Sequence, residues 1–234
     1  MALSSWYLVR ASAALGLLTA APAAAQLAGS VGVDSDYRLR GYSLSNDQPA
    51  LTAHVSYDHP SGAYLNLSAL AEIDRGTRFL GVLAGGGYAK RVNGHLTLDG
   101  GVLRYQVRGA RQWRPGFKYT EVYVGAYVRH VSGRIAYSPD YRGFGVSTVY
   151  AELEAGVEPA PNWRLSGHAG VLTYLKSKYF YSAGEPQRDW RVSSARQLGK
   201  FEVHAAISQG GPTIYYGYRV PKKVVVTAGA SVGF

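Results

Sequence analysis

The chain has 234 residues, of which 47% are hydrophobic, and it contains no cysteine. The lack of cysteine excludes a small exported module held together by disulfides. The formal net charge of +10 is compatible with a nucleic acid, with anionic lipid headgroups or with an anionic solute as partner.

The start of the chain has the features of a secretory signal. Arg10 precedes an apolar run over residues 11–21, and three alanines, Ala23 to Ala25, precede Gln26. A basic start, a short apolar run and a small-residue site are typical of a cleaved signal peptide. We predict a signal peptide over residues 1–25, cleaved after Ala25, and one exported domain over residues 26–234. Export argues against a nucleic-acid partner.

The exported domain consists of segments in which apolar and polar side chains alternate, as in β-strands with two different faces. The predicted strands cover about 30–41, 51–58, 63–73, 79–91, 96–107, 120–129, 134–141, 149–158, 163–176, 190–198, 201–208 and 224–234. In the fourth strand Leu80 is expected on the outward face. In the fifth, Leu103 and Tyr105 are expected outward as well, after a β-bulge near Gly100–Gly101.

The last strand, from Val224 to Phe234, has an apolar face and a face of mainly small or polar residues. Its length matches that of a tilted strand crossing a bilayer, about 9–11 residues. Taken alone, it also fits an ordinary sandwich strand. A terminal aromatic residue resembles the assembly signal of outer-membrane barrels, so we predict that Phe234 is read by the barrel-assembly machinery.

The connections between these strands alternate in length. Short turns are predicted at 59–62, 92–94, 131–133, 159–162 and 199–200, and longer or polar links at 42–49, 74–78, 108–117, 140–145, 177–188 and 209–223. Short periplasmic turns and longer outer loops are typical of outer-membrane barrels, whereas a sandwich has no reason to sort its loops in this way. We therefore predict an all-β fold, a twelve-stranded antiparallel up-and-down transmembrane β-barrel in the bacterial outer membrane.

The face opposite the apolar one carries most charges of the strands. The predicted pore-lining residues are Asp34, Asp36, Arg38, Arg40, His54, Glu72, Asp99, Glu121, Arg129, Glu152, Glu154, His168, Glu202 and His204. A Lys or Arg facing lipid at mid-depth costs about 2–4 kcal/mol, so these side chains are expected to face a lumen. They either set ion selectivity or form a structural ladder of ion pairs in a narrow barrel.

The predicted outer loops are basic, and they contain Arg75, Arg78, Arg108, Arg111, Arg114, Arg142, Lys178 and Arg188. These cations either steer anionic solutes to the mouth of the barrel or contact the phosphates of lipopolysaccharide. Outer-membrane lipids and lipopolysaccharide are therefore predicted partners.

Histidines raise two further possibilities, a metal site and catalysis. His54, His168 and His204 lie on separate strands without close spacing, so hydrated lumen side chains are a better interpretation than metal ligands. Some outer-membrane barrels are lipid hydrolases with Ser and His on the outer wall, but these histidines are expected to face inward. We predict no metal, no cofactor and no enzymatic activity.

The N-terminal part of the exported domain resembles a known family. The segments Ser35–Ser43, Asn46–Ala50 and Tyr57–Tyr64 are similar to the start of the TorF family of proteobacterial porins. Leu39 replaces the usual Phe of that family, and the third strand lacks its usual Trp-rich pattern. The resemblance implies an outer-membrane pore without specifying a solute.

These observations predict a porin-like channel for passive diffusion of small hydrophilic solutes. The inner wall is mixed in sign, so a preference for anions rests mainly on the basic loops. A non-conducting structural or surface-binding barrel is the alternative, and an outer-membrane lipid hydrolase is the third possibility.

Overall fold

A computed structural model describes residues 26–108, 116–176, 186–211, 214–215, 218–219 and 223–234. The predicted signal peptide lies outside the described residues. So do Arg111, Arg114 and Lys178 of the predicted basic loops.

Twelve strands form a closed antiparallel barrel, which confirms the predicted fold. They are β1 (Gln26–Asp34), β2 (Ala50–Asp58), β3 (Ala63–Ile73), β4 (Thr77–Arg91), β5 (Leu96–Val107), β6 (Phe117–Val128), β7 (Val131–Ser138), β8 (Ser147–Ala160), β9 (Trp163–Lys176), β10 (Gln187–Leu198), β11 (Phe201–Gln209) and β12 (Val225–Gly233). Each strand pairs with its neighbours in sequence, and β1 also pairs with β12. Among the described residues, no helix is long and apolar enough to cross a membrane.

The β1–β12 seam closes the barrel. Its register pairs Val31 with Val232 and Val33 with Ala230. Two backbone bonds extend it, from Gly29 N–H to Phe234 C=O at 3.0 Å and from Phe234 N–H to Gly29 C=O at 2.9 Å. A Cβ on Gly29 would lie 2.5 Å from Cε2 of Phe234, so the glycine gives the terminal ring its place against the wall.

The two ends of the barrel differ in their connections. At one end, which we call the turn end, the strands are joined by residues 59–62, 92–95, 129–130, 161–162 and 199–200. At the other, the loop end, the connections are 35–49, 74–76, 108–116, 139–146, 177–186 and 210–224. Five of the six loop-end connections are thus longer than any turn-end one. The exception is 74–76, because Thr77 and Arg78, predicted as part of a loop, begin β4.

The outward face of the wall is an apolar belt. Val124 on β6 is 66% exposed, Leu153 on β8 61% and Val226 on β12 70%. In water such a surface would be strongly unfavourable, whereas lipid solvates it. The belt and the closed backbone ladder together are what a bilayer requires.

The predicted β-bulge in the fifth strand is wrong. The pairing of β5 with β4 and β6 runs without a register shift through Gly100 and Gly101. The irregularity lies instead in β4, between the partners of Leu70 and Ala71. It turns Leu80 into the barrel, where this side chain is 1% exposed, rather than outward as predicted.

The interior therefore has two different halves. Across β3–β6, Leu70, Leu83 and Leu103 are at most 1% exposed, and the rings of Tyr105 and Tyr119 stack with centroids 4.4 Å apart. The apolar set of β5 points inward because it belongs to this core. The other half, along β8–β11, is polar.

The depth of a residue in the apolar belt can be tested by placing a cation there. Val124→Arg places a cation on the outward face in the middle of β6 and should lower the free energy of unfolding by about 2–4 kcal/mol. Gln106→Arg, on the outward face near the loop end of β5, should cost about 0–1 kcal/mol. Urea unfolding of vesicle-inserted protein, followed by tryptophan fluorescence, measures both values. Equal losses for the two variants would contradict the assigned depth.

Candidate lumen site

The connection after β1, residues 35–49, folds into the barrel, and we call it the inward loop. The wall pairing ends with a bond from Ser35 N–H to Ala228 C=O at 2.8 Å. The predicted first strand, 30–41, is therefore wrong at both ends, because β1 covers Gln26–Asp34. Within the loop, Tyr37 and Leu44 are buried.

A tight hairpin forms the tip of the inward loop. Arg38–Leu39 pairs with Tyr42–Ser43, and the two residues between have positive φ angles, 49° at Arg40 and 74° at Gly41. Positive φ at both central positions is the geometry of a type I′ turn. A Cβ on Gly41 would collide with the Cα of Gly210, so the tip is packed closely against the β11–β12 connection.

Asp36 organises the base of this hairpin. Its Oδ1 accepts hydrogen bonds from Oγ of Ser43 at 2.5 Å and of Ser45 at 3.0 Å. Its Oδ2 accepts from Nη1 of Arg38 at 2.7 Å, and Nη2 of Arg38 donates to the Gly41 carbonyl at 2.5 Å. The loop is held in shape by its own polar residues.

Arg40 attaches the tip to the barrel wall. Its Nη1 and Nη2 donate to Oε1 and Oε2 of Glu121 on β6 at 2.8 and 2.7 Å. The guanidinium also lies 3.7 Å above the centroid of the Tyr150 ring on β8. The Arg40 side chain is 8% exposed and that of Glu121 is 1% exposed, so this bidentate pair is buried.

The polar half of the interior contains further ion pairs. Arg134 Nε on β7 donates to Glu152 Oε1 on β8 at 2.6 Å. Arg164 Nη2 on β9 donates to Glu202 Oε2 on β11 at 2.9 Å. The charge of each of these two arginines is therefore compensated by a carboxylate on another strand of the wall.

Two histidines join the same network. His204 Nε2 lies 2.8 Å from Asp34 Oδ1, which connects β11 to β1 across the seam strand. Nδ1 of His168 lies 3.0 Å from Glu154 Oε1, and its Nε2 lies 2.8 Å from Asp189 Oδ1. Each ring nitrogen of His168 thus faces a carboxylate oxygen, and both contacts are hydrogen bonds only when both nitrogens carry a proton.

Three predicted pore-lining residues lie on the apolar side of the interior. His54 Nδ1 is 3.0 Å from Oγ of Ser68, and Asp99 Oδ1 accepts from the Tyr64 hydroxyl at 2.6 Å. Glu72 accepts from Nη2 of Arg78 at 2.6 Å. These three residues face inward but do not join the network along β8–β11.

The prediction that Arg129 lines the pore is wrong. Arg129 and His130 form the two-residue turn between β6 and β7, and Arg129 has a φ of 54°. Its side chain is exposed at the turn end. The strand ends at Val128, one residue earlier than its alternating pattern indicates.

The described residues of the predicted basic loops have different environments. Arg75 is exposed in the β3–β4 turn, and Arg108 lies after β5 with its guanidinium 5.6 Å from the Phe79 ring centroid. Arg78 and Arg188 belong to strands β4 and β10, which begin earlier than predicted.

Arg142 differs most clearly from the prediction that these arginines extend into solvent. It lies in the short 3₁₀ turn Tyr141–Gly143, where its guanidinium is 3.9 Å from the ring centroid of Tyr42 and 4.7 Å from that of Phe117. It therefore packs between the inward loop and β6 instead of extending into solvent.

A polar cavity of about 150 Å³ lies between the inward loop and the wall of β8–β11. Its lining includes Asp34, Asp36, Arg38, Arg40, Arg134, Glu152, Glu154, Arg164, His168, Asp189, Arg191, Glu202 and His204. The structure thus brings together nine of the predicted pore-lining residues. Among the described residues, no group of three or more His, Asp or Glu side chains could hold a metal ion.

Four charged residues of this cavity were not among the predicted site residues: Arg134, Arg164, Asp189 and Arg191. Arg134 and Arg164 have an inward phase that the alternating pattern already indicates. Asp189 and Arg191 lie in β10, which is ambiguous when it is taken to begin at Trp190. When β10 begins at Gln187, as it does in the structure, the alternation of its inward and outward residues becomes clear.

A family described as bacterial proteins of unknown function, Gcw_chp, matches residues 19–222. The chain belongs to this family. A comparison with curated proteins found no match. The resemblance to the TorF family, and the N-terminal motif that carries it, stay a prediction.

The fold of this Gcw_chp protein is that of outer-membrane porins. It is similar to the NanC porin, with a TM-score of 0.56 and 9% sequence identity over 88% of this chain and 99% of that chain. The KdgM porin gives a TM-score of 0.54 and 7% identity, over 89% and 99% of the two chains. The COG4313 outer membrane channel from Pseudomonas putida F1 gives 0.50 and 13%, over 92% and 97%. With its apolar belt and closed ladder, the chain has the fold of a porin-like transmembrane β-barrel.

The buried pair of the inward loop gives a stability test. Arg40→Met leaves the Glu121 carboxylate buried without its partner and should lower the free energy of unfolding by about 3–5 kcal/mol. Arg40→Met combined with Glu121→Met removes both charges and should recover most of that loss. Denaturant unfolding of the wild type, both single variants and the double variant measures the coupling. Additive losses would contradict a direct pair.

Proposed function

We propose that this Gcw_chp protein is a porin-like channel through which small hydrophilic solutes diffuse passively. The polar cavity between the inward loop and β8–β11 is the observation that supports this proposal. Its carboxylate, guanidinium and hydroxyl groups offer a solute the hydrogen bonds that it loses when it leaves water. A cavity with only a structural role would be filled by packed side chains, as the opposite half of the interior is.

We further propose a weak preference for anions that originates at the mouth. Inside the cavity, the arginines are balanced by carboxylates, and the pairs cancel at a distance. At the loop end, Arg75, Arg108 and Arg188 are exposed. Exposed cations attract anions over roughly one Debye length. The same cations are candidates for contact with lipopolysaccharide phosphates, and barrel assembly through Phe234 stays a prediction.

Planar-bilayer recording tests the channel and its sign. Purified protein should give discrete conductance steps, and the reversal potential in a KCl gradient should indicate anion preference. Because the Debye length falls from about 10 Å at 0.1 M salt to about 3 Å at 1 M, the preference should shrink over that range. A preference for cations would refute the proposed sign.

A non-conducting barrel is the second candidate function. The packed core of β3–β6 and the buried Arg40–Glu121 pair favour it, because together they fill much of the interior. A barrel closed in this way would serve a structural or surface-binding role. Absence of conductance steps from pure, folded protein would support this candidate over the channel.

Shortening the inward loop separates the two candidates. Asp34 and Ala50 are directly paired, so a short Gly/Ser linker can replace residues 36–48 without breaking the wall. If the loop narrows an open channel, the shortened variant should conduct more than the wild type. The matched control replaces Asn93 and Gly94 in the turn between β4 and β5 by Gly and Ser. It leaves Arg75, Arg108 and Arg188 in place and should leave the conductance unchanged. A silent wild type with a conducting variant would indicate a barrel closed by its loop.

We propose no enzymatic activity for this chain. Two serine–histidine contacts occur among the residues that the structure describes. His54 and Ser68 meet inside the barrel. Nδ1 of His59 lies 2.8 Å from Oγ of Ser61 in the β2–β3 turn and also accepts from the Ser61 backbone N–H at 3.2 Å. The first pair faces away from lipid, and the second has the local geometry of a turn.

A further inference from the structure

The polar cavity contains buried atoms that lack hydrogen-bond partners. Among the described residues, Nδ1 of His204 and Oγ of Ser208 have none, and both side chains line the cavity. Ser208 is 6% exposed, and Glu202 Oε1 lies 3.7 Å from His204 Nδ1, beyond hydrogen-bonding distance. Because buried polar atoms rarely stay unpaired, these two are positions where a water molecule or a polar solute can bind.

Arg191 is the most loosely held arginine of the cavity. Its Nη2 lies 3.6 Å from Glu154 Oε1, whereas Arg164 and Glu202 are 2.9 Å apart. The Arg191 side chain is also the most exposed of the paired cavity arginines, at 30%. Its guanidinium therefore has donors to offer a solute, and a carboxylate is the group that matches them best.

Serine side chains lie on the same inward face as Arg191. Arg191 on β10 is directly paired with Ser208 on β11, so their side chains are neighbours on the inward face. Ser193, two residues along the same face, has its Oγ 2.7 Å from Oγ of Ser166. When one of these two hydroxyls donates to the other, one O–H of the pair remains free to donate.

The carboxylates of the cavity limit the charge of its ligand. Six of them line it: Asp34, Asp36, Glu152, Glu154, Asp189 and Glu202. A second negative charge on a solute would face these groups without a free arginine to balance it. The volume of about 150 Å³ is comparable to that of an engineered protein cavity of about 150 Å³ that binds one benzene molecule, so the cavity suits a small solute.

We propose that the cavity binds small hydroxylated monocarboxylates. The carboxylate would contact the Arg191 guanidinium, and the hydroxyls would contact Ser208, the Ser166–Ser193 pair and Nδ1 of His204. This inference rests on the proposed channel function and names its solute class.

Isothermal titration of the folded protein in detergent at neutral pH tests this site, with glycerate as probe. Three compounds serve as comparisons with glycerate. Propionate lacks its hydroxyls, glycerol lacks its charge, and inorganic phosphate carries more negative charge. Glycerate should bind saturably and more tightly than the other three. Arg191→Gln should weaken glycerate binding about tenfold, because a charge-assisted hydrogen bond is lost.

Matched variants separate binding from folding. Arg196→Gln changes an arginine of the same strand that lies outside the barrel, 5.2 Å from the Trp163 ring centroid, and should leave binding unchanged. Ser208→Ala removes a hydroxyl without a protein partner, so the barrel should keep its strand content by circular dichroism while glycerate binds several-fold more weakly. Ser194→Ala, on the outward face of β10, is its control.

Unsaturable glycerate titration would overturn the site, as would unchanged binding in Arg191→Gln and Ser208→Ala. Propionate, glycerol or phosphate binding as tightly as glycerate would overturn the solute class. Conductance recorded on the same preparation distinguishes the two proposals. Conduction without glycerate binding overturns this inference and retains the channel, whereas binding without conduction retains the site and overturns the channel.

Discussion

The pairing of β1 with β12 is the constraint on which the rest of the structure depends. In lipid, no water satisfies the backbone groups of an open sheet edge, so a spanning sheet must close. Closure also fixes the phase of every strand, because one set of alternate residues then faces the interior. The inward positions of Asp34, Glu121 and His204 follow from this seam.

Within the closed wall, burial of charge is possible only where partners are supplied. Arg40 enters the interior on a loop, yet it meets a bidentate carboxylate and an aromatic face. The pairs along β8–β11 follow the same rule, with Arg, Glu, Asp and His on adjacent strands. On the mainly apolar side across β3–β6, the buried Glu72 and Asp99 also have partners, Arg78 and Tyr64, and the apolar residues around them pack as an ordinary protein core.

The sequence was sufficient for the strands and their closure because two-residue periodicity and turn chemistry are local signals. The prediction from sequence failed where a contact with a residue distant in the sequence determines the face or the end of a strand. Leu103 and Tyr105 were predicted to face lipid because apolar residues were expected only on the outward face of the barrel. They are buried instead in an apolar core inside the barrel. The segment after Asp34 keeps an alternating pattern but leaves the wall, since its ladder ends at Ala228. Asp189 was missed because the start of β10 is set by pairing with β9.

The division of the interior has a consequence for the way this protein tolerates change. Any path along the barrel is eccentric, bordered by β8–β11 and the inward loop rather than centred on the barrel axis. Interior substitutions on β3–β6 therefore act as core substitutions, whose effect is on the stability of the wall. If the protein is the proposed channel, interior substitutions on β8–β11 alter the surface that a permeating molecule meets. Under that proposal, related chains are expected to diversify mainly along β8–β11, where a change in solute preference would leave the barrel intact.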